Sequence, residues 1–353
     1  INDSINMRQL MTHSGSIEDN WTTMSSYYGY PDPSITLANC MERYFHTSGS
    51  DYDANANFLN YAPGTFYDYS NMGSALNGYI IETAGGSPFD QFCDNNIFDP
   101  ICMDHTAWHF SDFDSSQVAR PYSYQNGSYV AYKHYGFADY PNGQLRSTAL
   151  DLGNFMITYL NGGTLGSNSI ISPASIKEML TLQVPLLNQE QGLNWHQEEL
   201  YYDGGTAKLW GHSGSEKGVS TYMYLDTLND IGICLLTNGE GEGLYICDKL
   251  YEHALNINIH TGIIPNCSNT LDINEKEVHK KGIIFSPNPA KDFIKIEIGT
   301  RENIVFEIYS TTGILVLSGN IYKEDHLIDI SDLAYGVYIL KVRNKTTKLV
   351  KTY

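Results

Sequence analysis

Tyr69, Ser70 and Asn71 stand directly ahead of an amphipathic segment whose pattern predicts a helix from Met72 to Ala84. A phenol in such a place can act as a base when nearby cations lower its pKa. A carboxamide can both donate hydrogen bonds to a substrate amide and accept them from it. Because both groups leave the chain just before one helix, the sequence predicts that Tyr69 and Asn71 share one direction and one site.

The composition is that of a globular protein with room for one large domain and one small one. Of the 353 residues, 42% are hydrophobic and 17% are charged. The net charge of -19 argues against a nucleic-acid partner, whose phosphates require a basic surface. No apolar run is long enough to span a bilayer. From residue 280 onward there are 11 Lys and Arg against 8 Asp and Glu, and this change in charge balance suggests two domains.

The segments around Tyr69 and Asn71 predict a mixed fold, α/β (α+β), for residues 1–258. Capped helical patterns come first, strand-like segments follow, and a last helix closes the region, which is typical of helices packed on an antiparallel sheet. The predicted helices are 5–11, 35–45, 72–84, 88–95, 149–160, 173–182 and 244–255, and the predicted strands are 207–211, 219–226 and 231–238. A polar, aromatic-rich stretch, residues 108–140, is predicted to wrap over a cleft. Residues 259–281 have the character of a linker, and residues 282–353 of a small all-β sandwich.

None of the six cysteines has the spacing of a metal site. Cys93 and Cys102 are close enough in sequence to close a short disulfide loop in an oxidising compartment, whereas Cys234 and Cys247 are expected to be buried thiols. His105 and His109 are four residues apart, but no accompanying glutamate motif suggests zinc. We therefore expect neither a metal nor a cofactor.

Five short strings, in order, resemble the motifs of penicillin-recognising serine hydrolases of the class C β-lactamase type. Residues 10–15 are similar to L-L-T-H-T-S-G, one residue short, and residues 63–71 to P-G-x-x-F-x-Y-S-N, with Tyr67 in the phenylalanine place. Residues 100–106 are similar to P-L-G-M-x-x-T, with Cys102 in the glycine place, and residues 143–152 to G-G-L-x-S-T-x-x-D-L. Residues 210–214 look like the G-H-x-G form of the third active-site motif. As a set, these strings imply a β-lactamase/transpeptidase-like fold.

The family's chemistry implies a serine nucleophile in an S-x-x-K motif, which forms an acyl-enzyme that water or another acceptor then resolves. By resemblance, Tyr69 shuttles protons with the motif lysine, and Asn71 orients the substrate amide. His212 takes the place of the K-T-G lysine, either polarising that tyrosine or meeting a substrate carboxylate or carbonyl. The backbone N–H of Ser215 is implied to form half of the oxyanion hole.

Substrate is expected to run along the same strand, past Ser213 and Gly214. The substitution of His212 for a lysine favours an esterase or peptidase over a dedicated β-lactamase. His13 is expected to be a turn histidine that bonds the backbone, and Ser147, Thr148 and Asp151 to be capping and helix-dipole residues. The tyrosines of residues 27–30 and 122–135 either line a substrate cleft or cover the core.

The S-x-x-K motif is missing, because no serine of the sequence is followed by lysine three residues later. In the family this motif precedes the T-H-T-S-G segment, which begins here near residue 12. The chain also opens within a helical pattern, with neither a start methionine nor a signal peptide. We therefore expect an N-terminally trimmed fragment whose nucleophile and lysine precede Ile1, and which keeps half an active site without hydrolysis.

The tail from residue 282 is similar to the type A C-terminal sorting domain of the type IX secretion system of Bacteroidetes-type bacteria. The strings that carry this likeness are residues 286–289, 308–313 and 336–341, together with Leu333 and the basic end at 348–351. The resemblance implies recognition by the type IX machinery and export across the outer membrane. Release or surface attachment would follow once the tail is cut off.

Two classes of function remain open. The first is an exported serine hydrolase of the β-lactamase, D-Ala-D-Ala peptidase or esterase type, which takes a small acyl, ester or peptide substrate. The alternative is a non-catalytic cell-surface binding protein on the same scaffold. A hydrolase that uses an internal serine, Ser14 or Ser213, ranks last because neither lies in a G-x-S-x-G turn.

Overall fold

The computed structural model describes residues 4–256, 284–297, 304–311, 313–321, 325–342 and 345–352. The chain divides into two compact units between residues 270 and 271. The predicted linker, residues 259–281, lies outside the described residues, so the domain limits at 258 and 282 stay predictions. Among the helices of the described part, none is both long enough and apolar enough to cross a membrane.

The first unit combines helices with an antiparallel sheet, as predicted. Its helices are α1 (Met7–Met11), α2 (Trp21–Met24), α3 (Leu37–Phe45), α4 (Asn71–Gly85), α5 (Phe89–Cys93), α6 (Ala149–Leu160), α7 (Pro173–Met179) and α8 (Leu244–Asn256). Three short strand pairs join β1 (Tyr28–Gly29) to β4 (Gly136–Phe137), β2 (Tyr122–Gln125) to β3 (Ser128–Ala131), and β5 (Thr164–Leu165) to β6 (Asn168–Ser169).

The main sheet has the order β10-β9-β8-β7 and is antiparallel throughout. Its strands are β7 (His196–Tyr202), β8 (Gly205–Glu216), β9 (Val219–Asp226) and β10 (Ile231–Thr237). The sequence predicted β9 and β10 nearly to their ends, but it placed only residues 207–211 in β8 and missed β7. The half-buried Gln-Glu-Glu run of β7 lacks the apolar alternation by which a strand is recognised.

Both faces of this sheet are buried. On one face, Leu225 of β9 packs in a core with Met156 and Tyr159 of α6, and on the other, Tyr224 packs with Tyr251 of α8. Neighbouring residues of a strand point to opposite faces, so one strand serves both cores. A third core joins α1, α3 and α4. The cleft described below lies where this helical region meets β8 and β9.

α1 and α3 begin two residues later than predicted, because their caps lie further along the chain. Asn6 caps α1 in a reciprocal capping box with Gln9. Thr36 caps α3 by accepting the amide hydrogen of Asn39. α4, α6 and α8 lie within two residues of their predicted limits, and α7 ends early, at Met179. α5 ends at Cys93, but a π-helical turn, Asp94–Phe98, continues it past the predicted end at residue 95.

The predicted bridge between Cys93 and Cys102 is wrong. Cys93 is a free thiol, buried in the helical core, and Cys102 is disulfide-bonded, though not to Cys93. Sequence proximity suggested the pair, but α5 holds Cys93 among apolar neighbours. Cys234 and Cys247 are both free; Cys247 is buried as predicted, and Cys234 is partly exposed.

The second unit is a two-sheet sandwich, as predicted. Its strands are β11 (Ile284–Ser286), β12 (Phe293–Glu297), β13 (Ile304–Ser310), β14 (Leu315–Ile321), β15 (Asp325–Asp329), β16 (Gly336–Val342) and β17 (Lys345–Lys351). They form sheets of order β11-β12-β15 and β14-β13-β16-β17. Ile294 of the first sheet shares a core with Ile308 and Leu340 of the second. The polar residues of β15 and β17 conceal the alternation by which a strand is recognised from sequence.

Candidate active site

A cavity of about 670 Å³ opens between the start of α4 and the last residues of β8. The six predicted site residues all line it: Tyr69, Asn71, His212, Ser213, Gly214 and Ser215. The two sequence regions that hold them are more than a hundred residues apart, and the fold brings them to one cleft. The ring centroids of Tyr69 and His212 are 6.0 Å apart.

The N-terminus of α4 fixes Asn71. Ser70 has extended backbone angles, and its hydroxyl accepts the amide hydrogen of Gly73 at 2.9 Å, which makes it the N-cap. Asn71 is the first helical residue, so its position relative to Tyr69 is set by the cap. At the other end, Gly86 closes the helix in the left-handed region at φ 69°, where a glycine meets no steric penalty.

Asp19 holds this helix start in place. Its carboxylate accepts hydrogen bonds from the hydroxyl of Ser70 (3.1 Å), the backbone amides of Asn71 and Met72 (2.9 Å each) and the side-chain amide of Asn71 (2.7 Å). Only 9% of Asp19 is exposed. A carboxylate at a helix N-terminus is stabilised by the free amides and the helix dipole. The Asn71 carboxamide therefore keeps Oδ1 and one N–H for a ligand.

His13 supports the loop on the other side of Tyr69. Its Nδ1 accepts the amide hydrogen of Ser70 at 3.2 Å, and its carbonyl accepts the amide hydrogen of Asp68 at 2.8 Å. Both contacts are to backbone, which is the role predicted for this histidine. Its ring also packs on the ring of Tyr69, with 4.3 Å between centroids, which the sequence analysis did not foresee.

The last residues of β8 form an open edge. β7 pairs with β8 only as far as the His196–Gly211 pair, so residues 212–216 have a partner strand on one side, β9. In β9, Ser220 directs both its N–H and its C=O to the hydroxyl of Thr237 on β10, at 3.3 and 2.8 Å. A residue in an antiparallel strand directs both groups to the same side. Ser215, which lies opposite Ser220, therefore turns its N–H away from β9 and towards the open edge.

His212 is held as a defined tautomer. Its Nδ1 lies 2.5 Å from the carbonyl oxygen of Ser213. Because a carbonyl can only accept, Nδ1 carries the proton, and Nε2 of the neutral ring has a lone pair. Burial lowers the pKa of His212. At neutral pH this residue is an uncharged hydrogen-bond acceptor, unlike the lysine ammonium it stands in for.

Two more histidines, His13 and His196, lie next to Tyr69 and His212, respectively. The ring of His196 lies edge-on to that of His212, with centroids 4.9 Å apart. Burial, followed by the proximity of His212 and His196, lowers the pKa of His13 to about 4; burial, followed by His212, lowers that of His196 to about 4. At pH 7 two neutral imidazoles, His13 and His212, therefore lie beside Tyr69, and a third, His196, contacts His212.

The Tyr69 phenol keeps its proton at neutral pH. Its side chain is 42% exposed at the cavity wall, yet the protein atoms around the cavity displace much of the solvent. This desolvation, then the charge of Asp19, then Tyr67, raise the pKa of Tyr69 to about 12. The residues described as lining the cavity include no Lys or Arg that would lower it.

Sequence reasoning missed Asp19 and His196 as parts of this site. Asp19 lies 52 residues from the amide it holds, and no local pattern connects them. His196 begins the strand that was not predicted. Thr148 caps α6 by accepting the Asp151 amide hydrogen at 3.1 Å, as expected, but Ser147 also lines the cavity. Among the described residues, no group of His, Cys, Asp and Glu is arranged to hold a metal ion.

Part of residues 108–140, which were predicted to wrap over the cleft, is a solvent-exposed hairpin. Within residues 108–140, β2 and β3 form a hairpin whose Tyr124 and Tyr129 are exposed to solvent. Tyr135 instead lines a second cavity of about 470 Å³, which adjoins the first. None of the tyrosines of residues 27–30 and 122–135 lines the first cavity, so the choice between lining a substrate cleft and covering the core stays a prediction.

Comparison with known proteins gives two family matches. A family model described as Beta-lactamase matches residues 2–255, and one described as Secretion system C-terminal sorting domain matches residues 284–353. Among curated relatives, Protein flp of Staphylococcus aureus (strain NCTC 8325 / PS 47) is 24% identical over 253 residues, covering 71% of this chain and 46% of the relative. A putative D-alanyl-D-alanine carboxypeptidase of Escherichia coli O157:H7 is 24% identical over 213 residues, covering 51% and 46%. The chain thus spans about half the length of the curated relatives it matches.

Solved structures share the fold of the first unit. A penicillin binding protein from Bacillus halodurans superposes with a TM-score of 0.54 at 17% identity, covering 72% of this chain and 73% of that one. The D-amino acid amidase from Ochrobactrum anthropi SV3, complexed with L-phenylalanine amide, superposes with a TM-score of 0.53 at 21% identity, covering 71% and 70%. At these identities the likeness establishes the architecture only.

Proposed function

This chain belongs to the Beta-lactamase family through residues 2–255, and we propose that its cleft is the acyl-transfer site of an exported serine hydrolase. The reaction class is hydrolysis of a small acyl, ester or peptide substrate through an acyl-enzyme, as in a β-lactamase, a D-Ala-D-Ala peptidase or an esterase. One observation carries the proposal: Tyr69, Asn71, His212 and Ser215 line the same cavity.

In this proposal Tyr69 and His212 handle protons as a pair. The phenol, with its pKa of about 12, is a donor in the absence of a cation, and the Nε2 lone pair of His212 is an acceptor. A lysine ammonium brought next to Tyr69 would lower the pKa of the phenol and let it take the proton of the nucleophile. His212 then serves as a hydrogen-bond acceptor and not as a positive charge. This supports an ester or peptide substrate over one that is recognised by its carboxylate.

Asn71 and Ser215 would hold the substrate. The carboxamide of Asn71, oriented by Asp19, has Oδ1 free to accept from a substrate amide. The N–H of Ser215 on the open edge of β8 would donate to the oxyanion that forms at the carbonyl carbon. Ser213 and Gly214 would lie beside the bound chain. A side chain at Gly214 would bring its Cβ to 2.6 Å from Oγ1 of Thr221, so a glycine suits this place.

The nucleophile is the missing part. Since no serine of these 353 residues has lysine three positions later, the proposal assigns nucleophile and lysine to an S-x-x-K segment outside them. The chain as given is then expected to be inactive. Reading the gene upstream of Ile1 tests this directly. An intact gene without S-x-x-K would favour the alternative, a binding protein on the same scaffold.

The decisive assay uses the chain joined to its upstream segment. We expect labelling by a fluorophosphonate probe and turnover of p-nitrophenyl acetate. A D-Ala-D-Ala peptide and nitrocefin, which both carry a free carboxylate, should be poorer substrates, with nitrocefin the poorest. A Ser→Ala change in S-x-x-K is the control and should abolish labelling. Inertness towards the probe and all three substrates would contradict the hydrolase proposal.

Residues 284–353 form a type IX sorting domain, which implies secretion. We propose that the type IX machinery recognises this unit, and that the first unit ends in the medium or attached to the outer surface. Deleting residues 284–353 in a type IX-competent host should retain the protein inside the outer membrane. Fractionation of cells and medium measures this outcome, and undiminished export of the deleted form would contradict it.

A further inference from the structure

Glu216 stands where the two cavities meet. It is the last residue of β8, directly after Ser215, and it lines both the 670 Å³ and the 470 Å³ cavity. The shared wall consists of Gly143, Leu145, Ser147, Glu216, Thr221 and Leu236. Glu216 is the one charged residue in that shared set.

The Glu216 carboxylate has hydrogen-bond donors but forms no ion pair with another described residue. Its Oε2 accepts from the hydroxyl of Tyr28 at 2.8 Å and from the amide of Lys217 at 3.3 Å. Within the part of the chain that the structure describes, no Lys, Arg or His nitrogen forms an ion pair with it. The ammonium of Lys217 lies over the ring of Tyr28, 4.4 Å from its centroid. Glu216 also raises the pKa of Tyr28 and of Tyr135, after the larger effect of burial. Both phenols therefore lie within reach of its negative charge.

The other charged residues around the two cavities differ from Glu216. Glu190 also lines the first cavity, but its carboxylate pairs with Lys208 at 3.5 Å. Arg146 lines the second cavity, where its guanidinium donates to the neutral carbonyls of Trp108 and Tyr135 and keeps its positive charge. The described residues that line the first cavity include no Lys or Arg, and residues 1–256 hold 9 Lys and Arg against 29 Asp and Glu. On the side of the first cavity, the Glu216 carboxylate therefore disfavours an anionic ligand.

We infer that Glu216 is a specificity-determining residue, which binds the ammonium group of a substrate whose carbonyl lies at the Ser215 amide. The substrate class is then an amide, ester or peptide with a free α-amine. Glu216 follows Ser215 directly in β8, and both residues line the first cavity. The α-ammonium of such a substrate is two bonds from its acyl carbon, so it enters the same cavity when the carbonyl is bound. This inference rests on the proposed function, since that function places the carbonyl at Ser215.

A charge series on one skeleton tests the inference without turnover. Titration calorimetry on the full 353-residue chain at pH 7 compares D-phenylalanine amide (cationic), N-acetyl-D-phenylalanine amide (neutral) and N-acetyl-D-phenylalanine (anionic). The cationic probe should bind about tenfold more tightly than the neutral one, as for a charge-assisted hydrogen bond, and the anionic probe most weakly. The preference should fall as pH rises past about 8, where an α-amine loses its proton.

Two matched variants assign the effect to one carboxylate. Glu216→Gln keeps an acceptor for Tyr28 and removes the charge, so it should weaken the cationic probe about tenfold and leave the neutral probe within about twofold. Glu190→Gln, whose charge Lys208 already balances, should preserve the order of the three probes. Equal binding of the cationic and neutral probes, no effect of Glu216→Gln, or no binding of any probe would each overturn the inference.

Its failure can be told apart from failure of the hydrolase proposal. If the chain joined to S-x-x-K reacts with fluorophosphonate but the charge series is flat, only the role of Glu216 is wrong. If the series has the expected order but no labelling or turnover occurs, the cleft binds amines and the hydrolase proposal is wrong.

Discussion

At the scale of single residues, Asp19 does most to define the site. One buried carboxylate joins the cap of α4 to the side chain of Asn71 through four hydrogen bonds. Such a group is costly to remove, because each donor left behind is buried without a partner. In the proposed site, Asp19 is therefore a positioning residue, which would act on a substrate through Asn71.

Asp19→Asn should lower the free energy of unfolding by about 1–3 kcal/mol, since an amide can accept at one atom only and repels donors at the other. Denaturant titration measures the loss. Asp68→Asn is the control, because this neighbouring, half-buried carboxylate has no hydrogen bond to the helix start. It should change stability by less than about 0.5 kcal/mol. Equal losses in the two variants would rule out the anchoring role.

The three histidines make a second prediction at this scale. Because the pKa values of His13 and His196 are lowered to about 4 from 6.5, the unfolded chain binds more protons than the folded one between these values. Stability is thus fully present above about pH 6.5 and is lost as the pH falls towards 4. His13, which is 5% exposed, should contribute about 2 kcal/mol of this loss between pH 7.5 and 5.

His13→Asn isolates that contribution. Asparagine keeps an acceptor for the Ser70 amide and tolerates the left-handed backbone at residue 13, where φ is 51°. Between pH 7.5 and 5, the free energy of unfolding of this variant should fall less steeply than that of the unchanged protein. Denaturant titration at each pH measures it. His46→Gln, which removes a histidine outside the cleft, is the matched control for the loss of one imidazole. An unchanged slope in His13→Asn would be evidence against the buried neutral state.

At the scale of elements, the candidate site lies where the N-terminus of α4 meets the C-terminal end of β8. The N-terminus of α4 presents Asn71 with its cap, and the end of β8 presents backbone groups that β7 does not reach. The open edge exists because β7 begins at His196, opposite Gly211, while β8 continues to Glu216. A strand edge is usually a liability, but here the open N–H lines a cavity.

Proline substitution tests this edge. Ser215→Pro removes an N–H that faces the open side, whereas Thr221→Pro removes one that the central strand β9 gives to β8. Thr221→Pro should lower the free energy of unfolding by about 3 kcal/mol or more. Ser215→Pro should lower it by about 2 kcal/mol less than that. Denaturant unfolding of the two variants supplies the comparison. Similar costs would mean that the Ser215 amide takes part in the ladder.

At the scale of the whole molecule, the chain is two units with separate cores. The first carries the cleft and the acidic charge, and the second has its own core between two sheets. A unit with its own core can be damaged without loss of the other. The proposed division of labour, with chemistry in one unit and export in the other, follows this physical separation.

Ile308→Ala should unfold the second unit more easily by about 2–4 kcal/mol, because this side chain is fully buried (0% exposed) between the sheets. Binding of ligands to the cleft should not change. Ile314→Ala is the matched control, since 66% of that side chain is exposed, and should have an effect below about 0.5 kcal/mol. Unfolding followed separately by tail and cleft probes checks both. Loss of cleft binding in Ile308→Ala would mean that the units are coupled.

The sequence alone determined what depends on neighbouring residues. Caps, glycine stops and helical spacing located α4, α6 and α8, and ordered motifs indicated the Beta-lactamase family and predicted Tyr69, Asn71 and His212 as site residues. These signals are readable because a helix forms from contacts three and four residues apart. The weakly patterned strand β7 was missed for the same reason.

Only the tertiary structure decided which contacts those residues make and which of them carry a proton. Asp19 reaches the start of α4 across 52 residues, and His13 and His212, which are far apart in the sequence, both lie beside Tyr69. The neutral state of the histidines, the proton on Tyr69 and the open edge at Ser215 all come from burial and strand pairing. Burial and pairing are set by contacts between distant parts of the chain, and no local spacing encodes those contacts.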